Sequence, residues 1–330
     1  MDTAVFLNSY PGMYLVQSFF HSLIAALVVD TALQAWNIEG PVIRQRFRLI
    51  VIFIPLISFP LYQLLNPARS GLTFRLEALL DVNRWLDIEV WGVVPVSLFF
   101  FLFLGFATAV FLFQEMVPIV RHAFASRDVA AERTRPTPGS PVVRALDALP
   151  GEKPDVFILD DDELVLFSVT GRRPAVFLSS GLVRALTVEQ LRAAMAHEIG
   201  HIRRSRRPLL VVVFLLRVLM FFNPVALMEF RRIVQEEENI CDDVAVAMTG
   251  NSTALAEVLE KFYYTDDEEN PVPMQDAPGL RGRLEEYSHT MLIESRISRL
   301  AADPAQQEGR RLSVFFLTLA TVLFINYFVV

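Results

Sequence analysis

Two of the chain's five histidines, His197 and His201, stand four residues apart in "RAAMAHEIGHIRRSRRP" (Arg192–Pro208), and Glu198 directly follows the first. On a helix, residues i and i+4 share a face. Both imidazoles can therefore be offered to one ion while Glu198 sits beside it. His-Glu-x-x-His on a helix is the pattern in which the histidines bind zinc and the glutamate is the general base. The competing reading is a buried helix with two histidines and no metal. A catalytic zinc takes three protein ligands and keeps one position open. The third is expected from "RRIVQEEENICDDVAVAMTG", where Glu238 and Asp242 are again i and i+4. Glu238 is the expected ligand and Glu237 the alternative. Asp242 would accept the spare N–H of a ligand histidine and fix its tautomer. Three consecutive glutamates more often form a solvated face, but the "CDDVAVA" that follows is apolar enough to bury the aspartates. Bound zinc lowers the pKa of its water to about 7 and polarises the scissile carbonyl. Glu198 would carry the water's proton to the leaving amine.

These residues need rigid elements beneath them. "TVEQLRAAMAHEIGHIRR" reads as a helix, with Thr187 as N-cap and Gln190 completing a capping box. Leu191, Ala194 and Met195 give it an apolar face, and Gly200 would let other backbone approach. Before it, Asp155–Asp160, Glu163–Val169 and Pro174–Ser180 read as strands. Val176, Phe177 and Leu178 in the last are expected either to line a core strand or to pair with an extended substrate by strand addition. Cys241 is the chain's one cysteine, so no disulfide can form within it. It reads as a small buried residue.

Hydrophobic residues make up 53% of the 330 and charged residues 20%, with a mean hydropathy of +0.40. The apolar excess lies in long blocks, which is the membrane pattern. Met13–Trp36, Leu49–Leu65, Val93–Val120 and Leu312–Val330 are the expected spans. The first is interrupted by His21 and Asp30, expected to pack between helices or near an interface. "MDTAVFLNSYPG" lacks the basic start of a cleaved signal peptide. Arg44, Arg46 and Arg48 are expected in a cytoplasmic loop between the first two spans, and the basic residues after the third put the large following segment in the cytoplasm. No basic domain suggests nucleic acid. The apolar "PLLVVVFLLRVLMFFNPVALM" between His201 and Glu238 resembles a span, yet one crossing would separate the ligands and two need about 40 residues. It is expected to be re-entrant, interfacial, or packed under the catalytic helix. Arg203, Arg204, Arg206 and Arg207 would then meet anionic headgroups.

"VFLSSGLVRALTVEQLRAAMAHEIGHIRR" followed by "FFNPVALMEFRRIVQEEENICDDVAVAMTG" resembles the membrane metallopeptidases of the BlaR/MecR antirepressor family, and their HtpX-like and CAAX-prenyl (Ste-type) relatives. Phe222–Pro224 and the Cys241–Asp242 pair lean toward the BlaR type. The resemblance implies a zinc endopeptidase with His197, His201 and Glu238 as ligands and Glu198 as base. His289, in "SHTMLIESRISRL", is the candidate to stabilise the oxyanion; an exposed surface histidine is the alternative. No penicillin-binding domain follows Val330 in this sequence, so any signal is expected to come from a partner protein.

The expected architecture is a mostly α integral membrane protein, with transmembrane helices around a zincin-like α+β metallopeptidase domain holding a small sheet. Residues 1–120 would form a membrane domain of three spans, 121–154 a linker, and 155–305 a cytoplasmic zinc peptidase domain with a membrane-proximal apolar segment at 209–226. Residues 306–330 would form a last span. The expected function is multi-pass zinc endopeptidase of the bacterial inner membrane, acting on a protein or peptide, with a signalling partner or homo-oligomer as further contacts. The rival readings are a BlaR-like protease that cuts a repressor on a partner's signal, and a non-catalytic membrane scaffold.

Overall fold

The computed structural model describes residues 6, 9–113, 133–170, 173–205, 209–268, 293–301 and 311–330. The chain is mostly helical with small sheets. In chain order the helices that matter here are α1 (Tyr10–Ala35), α2 (Pro41–Leu65), α3 (Val96–Phe111), α4 (Pro141–Asp147), α5 (Val188–Ser205), α6 (Leu209–Leu219), α7 (Pro224–Thr249), α8 (Ser252–Glu268), α9 (293–301) and α10 (Arg311–Tyr327). The strands of the larger sheet are β1 (Arg133–Thr134), β2 (Asp155–Leu159), β3 (Leu166–Val169) and β4 (Ala175–Ser179). Two compact units result. One comprises Met1–Arg127, Leu209–Glu236 and Gln307–Val330, the other Asp128–Pro208 and Glu237–Gln306.

In the first unit α1 and α2, of 26 and 25 residues, are long and apolar enough to cross a bilayer. Their packing is inside-out for water. Leu27, Ile57, Leu64, Phe106 and Phe324 face outward, whereas Gln17, His21, Ser22 and Ser58 are fully enclosed. His21 places Nδ1 2.7 Å from Ser58 Oγ and Nε2 3.3 Å from the Val329 carbonyl, so it packs between helices. The expected basic loop is absent. Pro41, with its φ preset for a first helical turn, starts α2 before Arg44, Arg46 and Arg48. Arg48 then pairs with Glu229 at 3.1 Å and Asp30 at 3.4 Å, and Arg44 with Glu236 at 2.7 Å. Such charges are costly to bury alone and tolerable when paired. The third expected span is a helix only over Val96–Phe111 among the described residues; 114–120 lie outside them.

The apolar segment after the histidine helix belongs to this unit. Helix α6 has 11 residues, which rise about 16 Å, half of a bilayer's apolar thickness. Val213, Leu209 and Leu216 pack on Ile52 and Leu49 of α2. Asn223 turns the chain into α7. Its Oδ1 accepts from the Val225 N–H, and its Nδ2 donates to Ser22 Oγ at 2.9 Å.

In the second unit the sheet order is β1-β2-β4-β3, with β2 and β4 parallel and the other pairs antiparallel. Phe157, Phe177 and Phe167 lie in register and stack across three strands, with centroids 5.4 and 5.0 Å apart. Strand β4 is interior. Both its edges are hydrogen-bonded and all five residues are buried. That corrects the substrate-pairing expectation for Val176, Phe177 and Leu178, because no backbone donor or acceptor there is left for a substrate. Of the stretch expected as a linker, residues 121–132 lie outside the described residues, and the rest forms regular elements in part. Its residues 133–134 pair with β2, and α4, capped by Ser140, buries Val142 and Ala145 beside Leu191 and Met195 of α5. Gly181 follows β4 where an added methyl would stand 2.0 Å from the Asp162 carbonyl oxygen, so only glycine fits.

Candidate metal centre

Helix α5 begins with the reciprocal cap. The Thr187 N–H donates to Gln190 Oε1 at 3.1 Å, and the Gln190 N–H donates to Thr187 Oγ1 at 3.3 Å. Leu191, Ala194, Met195 and Ile199 fix its apolar face in the core, which turns the histidines toward α7. An added methyl at Gly200 would touch Cys241 of α7 at 3.4 Å, so the two backbones run close at the histidines.

The two Nε2 atoms of His197 and His201 lie 3.1 Å apart. Glu238 brings Oε2 to 3.5 Å from His197 Nε2 and Oε1 to 3.4 Å from His201 Nε2. Ligand atoms about 2.0–2.1 Å from a tetrahedral zinc are separated by about 3.3 Å along each edge. The Nε2–Nε2 separation and the approach of each Glu238 oxygen to its nearer histidine bracket that value. Two imidazoles and one carboxylate form a donor set suited to zinc, and among the described residues no other group of three meets the spacing.

Both histidines have a partner on the far ring nitrogen. Asp242, wholly buried, sets Oδ1 3.0 Å from His197 Nδ1. The approach is too oblique for a well-formed hydrogen bond, so charge carries the contact. Cys241 Sγ lies 3.4 Å from His201 Nδ1. Burial, and the carboxylates of Glu237 and Glu238, raise the Cys241 thiol and keep it neutral. Glu237 itself is taken by Arg204, whose Nη2 donates to Oε2 at 2.7 Å. This removes Glu237 from the ligand set and corrects the headgroup expectation for Arg204, which is turned inward. Arg206 and Arg207 lie outside the described residues, as does His289. Glu198 is buried, and among the described residues it has no hydrogen-bonding or ion-pair partner.

The sequence alone assigns no role to Arg296, on α9. Its Nε and Nη2 donate to Asp242 Oδ2 and Oδ1 at 2.9 and 2.7 Å, and its Nη1 stands 3.2 Å from Glu238 Oε2. The available signal was a pair of arginines three residues apart, Arg296 and Arg299, facing the adjacent Asp242 and Asp243. With both histidines neutral, as metal ligation requires, three carboxylates (Glu198, Glu238, Asp242) and one guanidinium leave two negative charges, which a divalent cation would balance.

Burial works against a charge on His197, but the Asp242 and Glu238 carboxylates at its two nitrogens outweigh it and push its pKa up to about 9. Burial likewise opposes ionisation of Asp242, yet His197 and Arg296 hold it at about 2. The same residues keep Glu238 below the usual carboxylate range, again against the opposing effect of its burial. A proton on His197 competes with a metal ion for Nε2. Zinc affinity is therefore expected to rise about tenfold per pH unit from pH 6.5 toward 9, measured by chelator competition; a flat profile would show His197 already neutral. Without metal the sign of the stability effect is opposite. The folded pKa is raised, so the stabilisation is full below about 6.5 and is lost as pH passes about 9.

Residues 165–256 match the family model of the BlaR1 peptidase M56. The stretch is a little over a quarter of the chain and contains His197, Glu198, His201, Glu238 and Asp242. It supports the BlaR/MecR type and implies a peptidase with a protein substrate; M56 peptidases are metallopeptidases. The likeness to HtpX-like and CAAX-prenyl enzymes rests on sequence motifs alone.

Proposed function

We propose that this chain is an integral membrane zinc endopeptidase acting at the cytoplasmic membrane face, with α1, α2 and two further helices as spans. The observation that carries the reading is the convergence of His197 Nε2 and His201 Nε2, 3.1 Å apart, on the Glu238 carboxylate, whose Oε2 lies 3.5 Å from the first and whose Oε1 lies 3.4 Å from the second. His197, His201 and Glu238 would hold the ion, which when bound supplies Lewis acidity. Asp242 would orient His197 through Nδ1. Glu198, buried and unpaired among the described residues, would accept a proton from water and return it to the leaving amine. A scaffold with a structural metal has no use for such a carboxylate. A signal-transducing protease that cuts a repressor is the second reading, favoured by the BlaR1 type of the matching model.

The substrate strand is reassigned to the free edge of β3 among the described residues. The Ser179 N–H donates to the Val165 carbonyl, and alternation along an antiparallel ladder then turns the main-chain groups of Leu166 and Ser168 outward. An extended peptide would pair there. Ser168→Pro deletes one outward donor while sparing the bonds to β4. It is expected to raise KM about fivefold, one hydrogen bond's worth, with zinc content unchanged. An unaltered KM would remove β3 from the cleft.

The test of the whole reading is elemental analysis of the detergent-purified full chain, beside hydrolysis of a fluorescent casein. About one zinc per chain, and hydrolysis abolished by a chelator and restored by zinc, is the expected result. Metal-free protein after preparation in zinc-replete medium would overturn it.

A further inference from the structure

Arg296 touches both Asp242 and Glu238, and those two carboxylates need different things from it. A carboxylate can bind a metal through one oxygen or both. If Glu238 used both, it would occupy the position that catalysis needs open. Nη1 of Arg296 lies 3.2 Å from Oε2, while Oε1 is the oxygen nearer to His201. Oε2 also lies 3.5 Å from His197 Nε2, so each oxygen reaches one histidine; the guanidinium competes with an ion for Oε2 and leaves Oε1 uncontested. Its remaining nitrogens grip Asp242 with both oxygens, a planar fork that fixes the carboxylate plane. The same Oδ1 that receives Nη2 then stands 3.0 Å from His197 Nδ1.

We propose that Arg296 is a positioning residue that restricts Glu238 to one-oxygen coordination and locks Asp242 against His197, so that the metal keeps an open position. This rests on the zinc reading above. Lysine cannot reproduce the effect, because a single ammonium cannot fork onto Asp242 and reach Glu238 together. A plain structural role makes a different prediction. Arg299 on the same helix ties α9 to α7 in a comparable way, donating to Asp243 and to the Asn239 carbonyl, each at 2.7 Å, and it touches no member of the metal set.

The experiment compares wild type, Arg296→Lys, Arg296→Gln and Arg299→Lys as full chains loaded with cobalt(II), read by visible absorption, with zinc affinity measured by chelator competition. Both Arg296 variants are expected to bind zinc about 10–100-fold more weakly. Their cobalt bands should weaken as coordination passes from four to five. Arg299→Lys should match wild type in both readouts. Wild-type affinity and spectrum in a folded Arg296 variant would overturn the positioning role while leaving the zinc reading intact. Equal losses in the Arg296 and Arg299 variants would reduce Arg296 to a tie between helices. Failure of wild type to bind either metal would instead sink the zinc reading itself.

Discussion

Glutamine at position 198 is expected to lower peptide hydrolysis by about 10²–10⁴-fold with zinc content and thermal stability close to wild type. Glutamine keeps the size and planarity of glutamate and cannot accept the water's proton. The expectation of unchanged stability has its own basis. Glu198 has no ion-pair partner among the described residues, so the substitution breaks no folded-state pair. A residue of ordinary structural importance would behave in the opposite way, losing stability before activity. The measurement is kcat/KM on a fluorescent peptide alongside elemental analysis of the same sample. Full activity in Glu198→Gln would overturn the general-base role; loss of zinc in step with activity would move Glu198 into the ligand set.

Alanine at His197, His201 or Glu238 is expected to abolish stoichiometric zinc, whereas alanine at Glu237 is expected to retain it. Each of the three offers one ligand atom, and two remaining ligands do not complete a catalytic zinc site. Glu237 belongs to a different pair, buried against Arg204, and removing it leaves that guanidinium without its carboxylate. Glu237→Ala should therefore be less stable yet metal-bound. This contrast separates ligation from folding, since adjacent glutamates on one helix are predicted to fail in different ways. Zinc retained in Glu238→Ala and lost in Glu237→Ala would reverse the ligand assignment.

Within Asp155–Gly250 much was legible from local pattern. The i, i+4 spacing of His197 and His201, the Thr187–Gln190 cap and the three strands depend on interactions within a few residues, and short-range periodicity records them. Strand β4 shows the limit. "PAVFLSS" looks the same whether its edges are free or paired, because edge exposure depends on which strands arrive beside it. The helix at Pro141–Asp147 went unread for a related reason. Pro, Gly and charge mark a break in pattern, but "PVVRALD" could be seen as a core helix only once α5 offered it a partner.

What the sequence by itself determined is the chemistry available: two imidazoles and a carboxylate on one helix, a run of acids downstream, and apolar blocks long enough for a bilayer. The tertiary structure decided how those acids divide. Glu237, Glu238 and Asp242 are equally acidic in the sequence, yet Arg204 takes the first and Arg296 bridges the other two, with Asp242 set against His197. The physical reason is that a buried carboxylate's role is set by the charge it meets, and those charges come from residues up to 58 positions away in the chain.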